Sequence, residues 1–304
     1  MTVPTRRRCG TMIAHHRLLE RDPGYRQRVM ANELMTRKRM MSFVERKGIT
    51  TIPVVVHVVY TEPEEKISRS QVKSQIPVLN RDYRAKNPDR SKVPACWKGL
   101  VSDAQLEFAL AKTDPKGKKT SGITYTKTDR PTFPVDDSVK SSETGGIDPW
   151  PTDEYLNIWV CHLEDPTIGG ILGYATFPGS PPEVDGVAIL TQAFGTKGTA
   201  TPPFNLGRTT THEVGHWLNL RHIWADTEDC SGTDNVEDTP NAAGPNYGKP
   251  RFPRITCNNG PNGDMFMNYM DYVDDDSMCM FTTQQVARMQ AALDGPRKSV
   301  GTGK

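Results

Sequence analysis

Histidine is scarce in this chain, with seven among 304 residues, so any clustering of it is informative. The six cysteines, Cys9, Cys96, Cys161, Cys230, Cys257 and Cys279, never occur as CxxC, which argues against a cysteine zinc cluster. They are also too few for a disulfide scaffold, although one or two bridges in an oxidising compartment are compatible with the count. No run of eighteen apolar residues exists, so no membrane-spanning helix is expected. The opening MTVPTRRRCGTMIAHHRLLE starts with charges but lacks the continuous apolar core of a secretory signal, so either a signal precedes this start, or export uses another route, or the protein stays inside. No basic patch is apparent beyond the first 48 residues, so nucleic acid is not an expected partner.

Charge is present but unevenly spread. Residues 1–48 hold twelve Lys/Arg against four Asp/Glu, a surplus of +8, and the net +2 of the chain therefore leaves −6 on the remainder. A basic leader ahead of an acidic body predicts that the two attract each other. The length suits one large domain or two subdomains with a sizeable core.

Three of the seven histidines fall within TTTHEVGHWLNLRHIW, at His212, His216 and His222. Residues four apart share a helix face, so His212 and His216 can act as a pincer for a metal of borderline softness. His222 can join them only if the chain turns sharply after His216. Asn219 stands where that turn is needed, and asparagine tolerates the left-handed conformation that ends many helices. Three protein ligands leave the fourth tetrahedral position open, as in a catalytic zinc site. Glu213, one residue from a ligand, is placed to take a proton from activated water.

Elsewhere, residues 10–45 read as helical with a break at Asp22-Pro23-Gly24, and TRKRMMSFVERKG reads as an exposed connection. TIPVVVHVVY is a buried strand by its β-branched run, with His57 as a core histidine or a support to the site rather than a ligand. Val72, Ile76, Leu79 and Tyr83 mark a helix over 69–84 that Pro77 should kink or break. LEFALA, YLNIWVC and DGVAIL read as further strands, so the first two-thirds imply an α/β layer structure. After His222 the chain looks irregular until a capped C-terminal helix begins at Thr282…Gln285, with Val286, Met289 and Leu293 on one face.

HEVGHWLNLRH resembles the long zinc motif of the metzincin peptidases, and FMNYMDY resembles their Met-turn. With NIWV and DNVEDTP, these motifs are similar to the pappalysin family, its cytophagalysin and ulilysin-like branch in particular, over most of residues 50–295. Asn219 departs from the glycine usual in metzincins. The resemblance implies an α/β metzincin-type zinc peptidase, with a twisted, mostly parallel sheet and backing helices above and an irregular lower part with a C-terminal helix. The implied division is a propeptide-like leader over 1–48 and a catalytic domain over 49–304, split into an upper subdomain of about 49–219 and a lower one of about 220–304. His212, His216 and His222 would bind zinc, and Glu213 would be general base and acid. Met270 would form an apolar floor under the histidines, and Tyr272 would hydrogen-bond the oxyanion. The strand near LGYATFP would pair with an extended substrate at the cleft's upper rim. Protein or peptide substrates and an extracellular location are implied as well; oligomeric state is not.

Further expectations follow from the same resemblance. Asp234, the Val236 carbonyl, Asp238 and Thr239 in the acidic DTEDCSGTDNVEDTP would hold calcium. Cys230 and Cys257 would form one disulfide, with Cys279 free and buried. Cys9, in a basic leader, could occupy the open zinc position and keep an enzyme latent. Of the three aspartates after the Met-turn, Asp276 would face the pocket for the residue after the scissile bond and select Arg or Lys, while Asp274 and Asp275 would face solvent or help a calcium site. TRKR and ERKG would offer cleavage sites for releasing the leader. The readings that compete with an endopeptidase are a catalytically silent zinc- and calcium-binding adhesive module, and a zinc amidase acting on small substrates.

Overall fold

The computed structural model describes residues 4–42 and 48–301. The leader forms helices α1 (Thr11–Arg21) and α2 (Pro23–Met41). Asp22 separates them because its backbone is extended and its carboxylate caps the Gly24 and Tyr25 amides, with Pro23 at the first helical position. α2 runs through TRKRMM, which extends the helix into the segment read as a connection. Most of ERKG lies outside the described residues.

Strand β1 (Thr50–Tyr60) enters the centre of the sheet and is followed by helix α3 (Arg69–Tyr83), capped by the Ser68 side chain on the Gln71 amide. Of the two expectations for Pro77, a kink or a break, the break does not occur: α3 continues through it. Pro77 lies on the exposed face, where the missing backbone donor leaves no buried polar group orphaned. Strands β2 (Leu106–Leu110), β3 (Ile123–Lys127) and β4 (Leu156–Cys161) follow. β3 escaped the sequence reading because ITYTK is short and only partly buried. After the two-residue hairpin strands β5 (Glu164–Asp165) and β6 (Gly169–Gly170) come β7 (Gly173–Ala175) and β8 (Val187–Leu190).

The main sheet is ordered β2-β1-β4-β8-β7, with β3 also pairing β1. Every pairing is parallel except β7 with β8, which places β7 antiparallel at one edge. Helix α4 (Arg208–Trp217) carries HExxH beneath that edge. Beyond it, among the described residues, come the two-residue strands β9 (Tyr247–Gly248) and β10 (Tyr272–Val273), a short helical turn at Asp275–Ser277, and then α5 (Thr283–Asp294), with the Thr282–Gln285 capping box. Val286, Met289 and Leu293 are buried, as their spacing predicts. His57 is a core residue held between Thr124 and Asn157.

Candidate active site

α4 ends one residue after His216, with Leu218 as its cap. Asn219 then takes φ of +75°, and the Leu220 amide donates back to the Gly215 carbonyl at 2.9 Å. This left-handed turn returns His222 toward the helix it has just left. Each imidazole is held from behind. His212 Nδ1 lies 2.7 Å from the Tyr269 carbonyl, His216 Nδ1 2.8 Å from the Leu220 carbonyl and His222 Nδ1 2.6 Å from Asp226 Oδ1. With Nδ1–H donating to an acceptor, each Nε2 presents a bare lone pair.

The three Nε2 atoms lie 3.1–3.2 Å apart. Bare lone pairs cannot hydrogen-bond one another, so a cation is what reconciles them. With Zn–N of about 2.0–2.1 Å, a tetrahedral edge is about 3.3 Å, which this spacing fits. Burial, and then the neighbouring imidazoles, hold His212 and His216 well below the ordinary histidine range; neutral imidazole is the form a metal takes. Met270 is fully buried beneath α4. A Cβ on Gly215 would come within 2.6 Å of the Met270 sulfur, so glycine is needed for this approach.

Cys9 completes the group: its sulfur and the histidine nitrogens all lie within 4.8 Å of one another. Cys9 Sγ is 3.2 Å from Glu213 Oε2, and the Thr11 hydroxyl donates to the same oxygen at 2.9 Å. Burial pushes Glu213 up to about 7, against the opposing hydrogen bonds of Cys9 and Thr11. Burial, and then Glu213, raises the Cys9 thiol; a cation at the histidines acts in the opposite direction by favouring thiolate. The Tyr272 hydroxyl accepts from the Cys9 amide at 3.2 Å, and its ring stands against His222 and Trp224.

The leader occupies the sheet edge as well. The Gly10 amide donates to the Gly173 carbonyl, the Leu172 amide to the Arg8 carbonyl, and the Ala175 amide to Thr11 Oγ1. The segment expected to pair with substrate is therefore already paired in this chain.

One expectation needs correction. Asp276 does not face the pocket: it lies at the surface, paired with exposed Lys249. Asp275 is the fully buried one of the three. One of its oxygens accepts from Arg7 Nη2 at 2.6 Å and the other from the Leu206 amide at 2.8 Å, just ahead of α4. Arg7 also donates to Thr209 Oγ1 and the Val273 carbonyl, and its guanidinium stands over Phe204. The short turn at Asp275–Ser277 sends neighbouring side chains in different directions, which three consecutive aspartates do not reveal. Arg7, Thr11, Thr209 and Asp226 were likewise missed; Asp226, four residues after His222, carried the one readable signal.

In the acidic loop, Asp234 Oδ2 accepts from the Thr239 hydroxyl at 2.6 Å, and Asp234 Oδ1 faces the Val236 amide. Asp238 turns away, its carboxylate accepting from Thr282 Oγ1 and the Gln284 amide at the start of α5. Cys230 and Cys257 are joined as a disulfide, and Cys279 is free and buried.

Residues 141–294 match the family model Peptidase_M43, described as pregnancy-associated plasma protein-A. An extracellular metalloprotease of Pyricularia oryzae is 30% identical over 300 residues, covering 96% of this chain and 90% of the relative. Extracellular metalloprotease 1 of Coccidioides posadasii is also 30% identical, over 82% of this chain and 79% of its own length. A mutant of Tannerella forsythia promirolysin superimposes with a TM-score of 0.87 at 43% identity, covering 97% of each chain. Mature mirolysin in complex with a cleaved peptide gives 0.81 at 48% identity, over 84% of this chain and 97% of that one. Matched along nearly its whole length, this chain belongs to the pappalysin family of metallopeptidases and is a metalloendopeptidase with a catalytic zinc.

Proposed function

We propose that the protein is made as a latent zymogen and, once released, hydrolyses proteins on the amino side of Arg and Lys. The observation that carries this reading is Arg7, a leader arginine seated in the Asp275 pocket two residues from the thiol that faces the three histidines. The pocket is lined for guanidinium: a buried carboxylate already oriented by a backbone amide, a hydroxyl, a carbonyl and an aromatic face. An apolar side chain there would leave the Asp275 carboxylate buried without its partner, which is costly.

Zinc held by His212, His216 and His222 would supply Lewis acidity toward water and the scissile carbonyl. Glu213 takes the proton of the attacking water and delivers it to the leaving amine. Tyr272, whose hydroxyl touches the leader backbone at Cys9, would donate to the oxyanion in the same place. Released of Arg8–Thr11, the edge of β7 offers its amides and carbonyls to an extended substrate.

Residues 1–48 form the inhibitory leader in this reading. Residues 49–304 form the catalytic domain, divided at about 219–220 into upper and lower subdomains. The promirolysin match covers 97% of this chain and the mature mirolysin match 84%, a difference of about 40 residues, close to the leader's size. Relatives named as extracellular support secretion. Calcium at Asp234, the Val236 carbonyl and Thr239 is supported by a carboxyl that burial pushes up to about 7, an environment a cation would relieve. Asp238 is left out of that set because it caps α5.

Peptide-library profiling of the released enzyme, with and without a zinc chelator, tests the reading. Cleavage before Arg and Lys that the chelator abolishes is expected; a preference for apolar residues after the cut would sink the pocket assignment.

A further inference from the structure

Helix α3 carries a stripe of like charge that the zinc chemistry does not use. Arg69, Lys73 and Arg81 lie at intervals of four and eight residues, with Pro77 between them, and all four are exposed. Like charges four apart repel one another on a helix, so this pattern works against α3's own stability. The rotation of α3 is set by its other face, where Gln75 donates to the Gly207 carbonyl and Gln71 to the Phe194 carbonyl. The stripe therefore points away from α4 and the cleft.

The loop after β8 brings Lys197 to the same side. A cleft of about 530 Å³ lies between loop and helix, lined by these four cations and no carboxylate. A second cleft, of about 970 Å³, begins at Arg84 and is bordered by Lys86, Arg90 and Lys98, with Asp103 as its one carboxylate. Over residues 69–98 there are eight Lys/Arg and two Asp. Both aspartates, Asp82 and Asp89, turn to Arg208 and neutralise nothing on the outer face. Arg84 has its own partners in Asp103 and Glu107. Among the described residues Arg69, Lys73, Arg81 and Lys197 make no ion pair. The expectation of no basic patch beyond the leader overlooked this surplus, and folding concentrates it on one face by turning both aspartates inward.

We propose that this face is an exosite for an extended, acidic stretch of a protein substrate. The spacing selects that partner. A helix advances 1.5 Å per residue, so cations four apart stand about 6 Å apart along its axis. Alternate side chains of an extended peptide lie on one side at about 6.6 Å. Acidic residues at alternate positions of a peptide that follows the winding of the stripe, about 40° per step, can therefore meet the cations on either side of Pro77. With α3 between stripe and α4, a protein could hold this face and enter the cleft at the same time, which would raise the effective concentration of its scissile bond. The proposal rests on the reading of the chain as a protein-cleaving enzyme and refines its substrate class.

The full-length chain should bind a fluorescein-labelled alternating Glu-Ser peptide, measured by anisotropy, with affinity that falls as salt rises. Lys73→Glu/Arg81→Glu/Lys197→Glu should weaken binding by about tenfold or more. If that variant melts well below the parent, the neutral Lys73→Gln/Arg81→Gln variant is used and should give a smaller loss of the same sign. After release, the variant should cleave a short neutral peptide like the parent and show a raised KM, with kcat held, toward a protein bearing the alternating acidic tail. Equal binding by parent and variant overturns the proposal. So does an unchanged KM, or tighter binding of single-stranded DNA or a sulfated oligosaccharide than of the acidic peptide at equal charge. Loss of all peptide cleavage would refute the catalytic reading and leave the anisotropy result to judge the exosite.

Discussion

The two halves of the leader grip the body by different physics. From Arg7 to Thr11 the chain lies in the cleft and places a buried guanidinium, a thiol and a hydroxyl on groups that a substrate would engage. α2, by contrast, lies over α5 and the upper rim through contacts of mixed exposure: Arg28 with the Gly179 carbonyl and Arg39 with Asp294 at the surface, and Glu33 with the buried Arg288. In the proposed reading the first half stands where a substrate would, and the exposed pairs of the second half are the ones that water and salt weaken. Latency should accordingly be concentrated in a few residues, and the length of α2 should affect mainly how fast the leader leaves.

The largest effect is expected at Glu213, which among the described leader residues is touched by Cys9 and Thr11 of the first half. Glu213→Ala in the released enzyme should lower kcat by about 10²–10⁴-fold while metal analysis still finds zinc. Near-normal turnover by a zinc-loaded variant would remove its assigned role. Next comes the pocket that Arg7 fills. Asp275→Ala should reduce kcat/KM for Arg after the cut by about 10–100-fold relative to an apolar residue, the worth of a charge-assisted hydrogen bond. Asp276→Ala should change that ratio by less than about twofold; the reverse order would restore Asp276 to the pocket.

Cys9→Ala should raise self-release of the full chain by about an order of magnitude, followed as appearance of the shortened form on a gel. A variant as latent as the parent would move the lock elsewhere in the leader. At the corner between the halves, His15 is buried against Phe177 and Tyr25, and burial, with Arg221 nearby, lowers it to about 3. The released leader would protonate His15 at its usual 6.5 and the docked leader would not, so docking weakens as pH falls from 6.5 toward 3. Each unit costs at most about 1.4 kcal/mol. His15→Phe should flatten the acid dependence of leader release; an unchanged profile would assign that dependence to another group. The smallest effect belongs to α2: Arg39→Ala, which breaks an exposed pair with Asp294, should change the release rate by less than about fivefold. A larger change would mean that α2 shares in the lock itself.

What was legible in advance divides along similar lines. β1, β4 and β8 were readable because continuous apolar runs suit strands buried on both faces, whereas β3 hid in a short, half-exposed segment. α3 continued through Pro77 because that residue faces solvent, and local propensity cannot show which side of a helix will be wet. The Cys230–Cys257 bridge came from family resemblance, and no local spacing would have produced it.

By itself, the sequence determined the metal centre. Helical periodicity puts His212 and His216 on one face, and an asparagine able to take positive φ brings His222 back to them. All of this happens within eleven residues, where backbone geometry is local. Only the tertiary structure decided which aspartate meets the arginine. Asp274, Asp275 and Asp276 are chemically identical, and the choice among them depends on the turn they form and on Arg7, which reaches Asp275 from 268 residues away. A contact at that separation is set by how the whole leader seats in the cleft, and no local pattern encodes it.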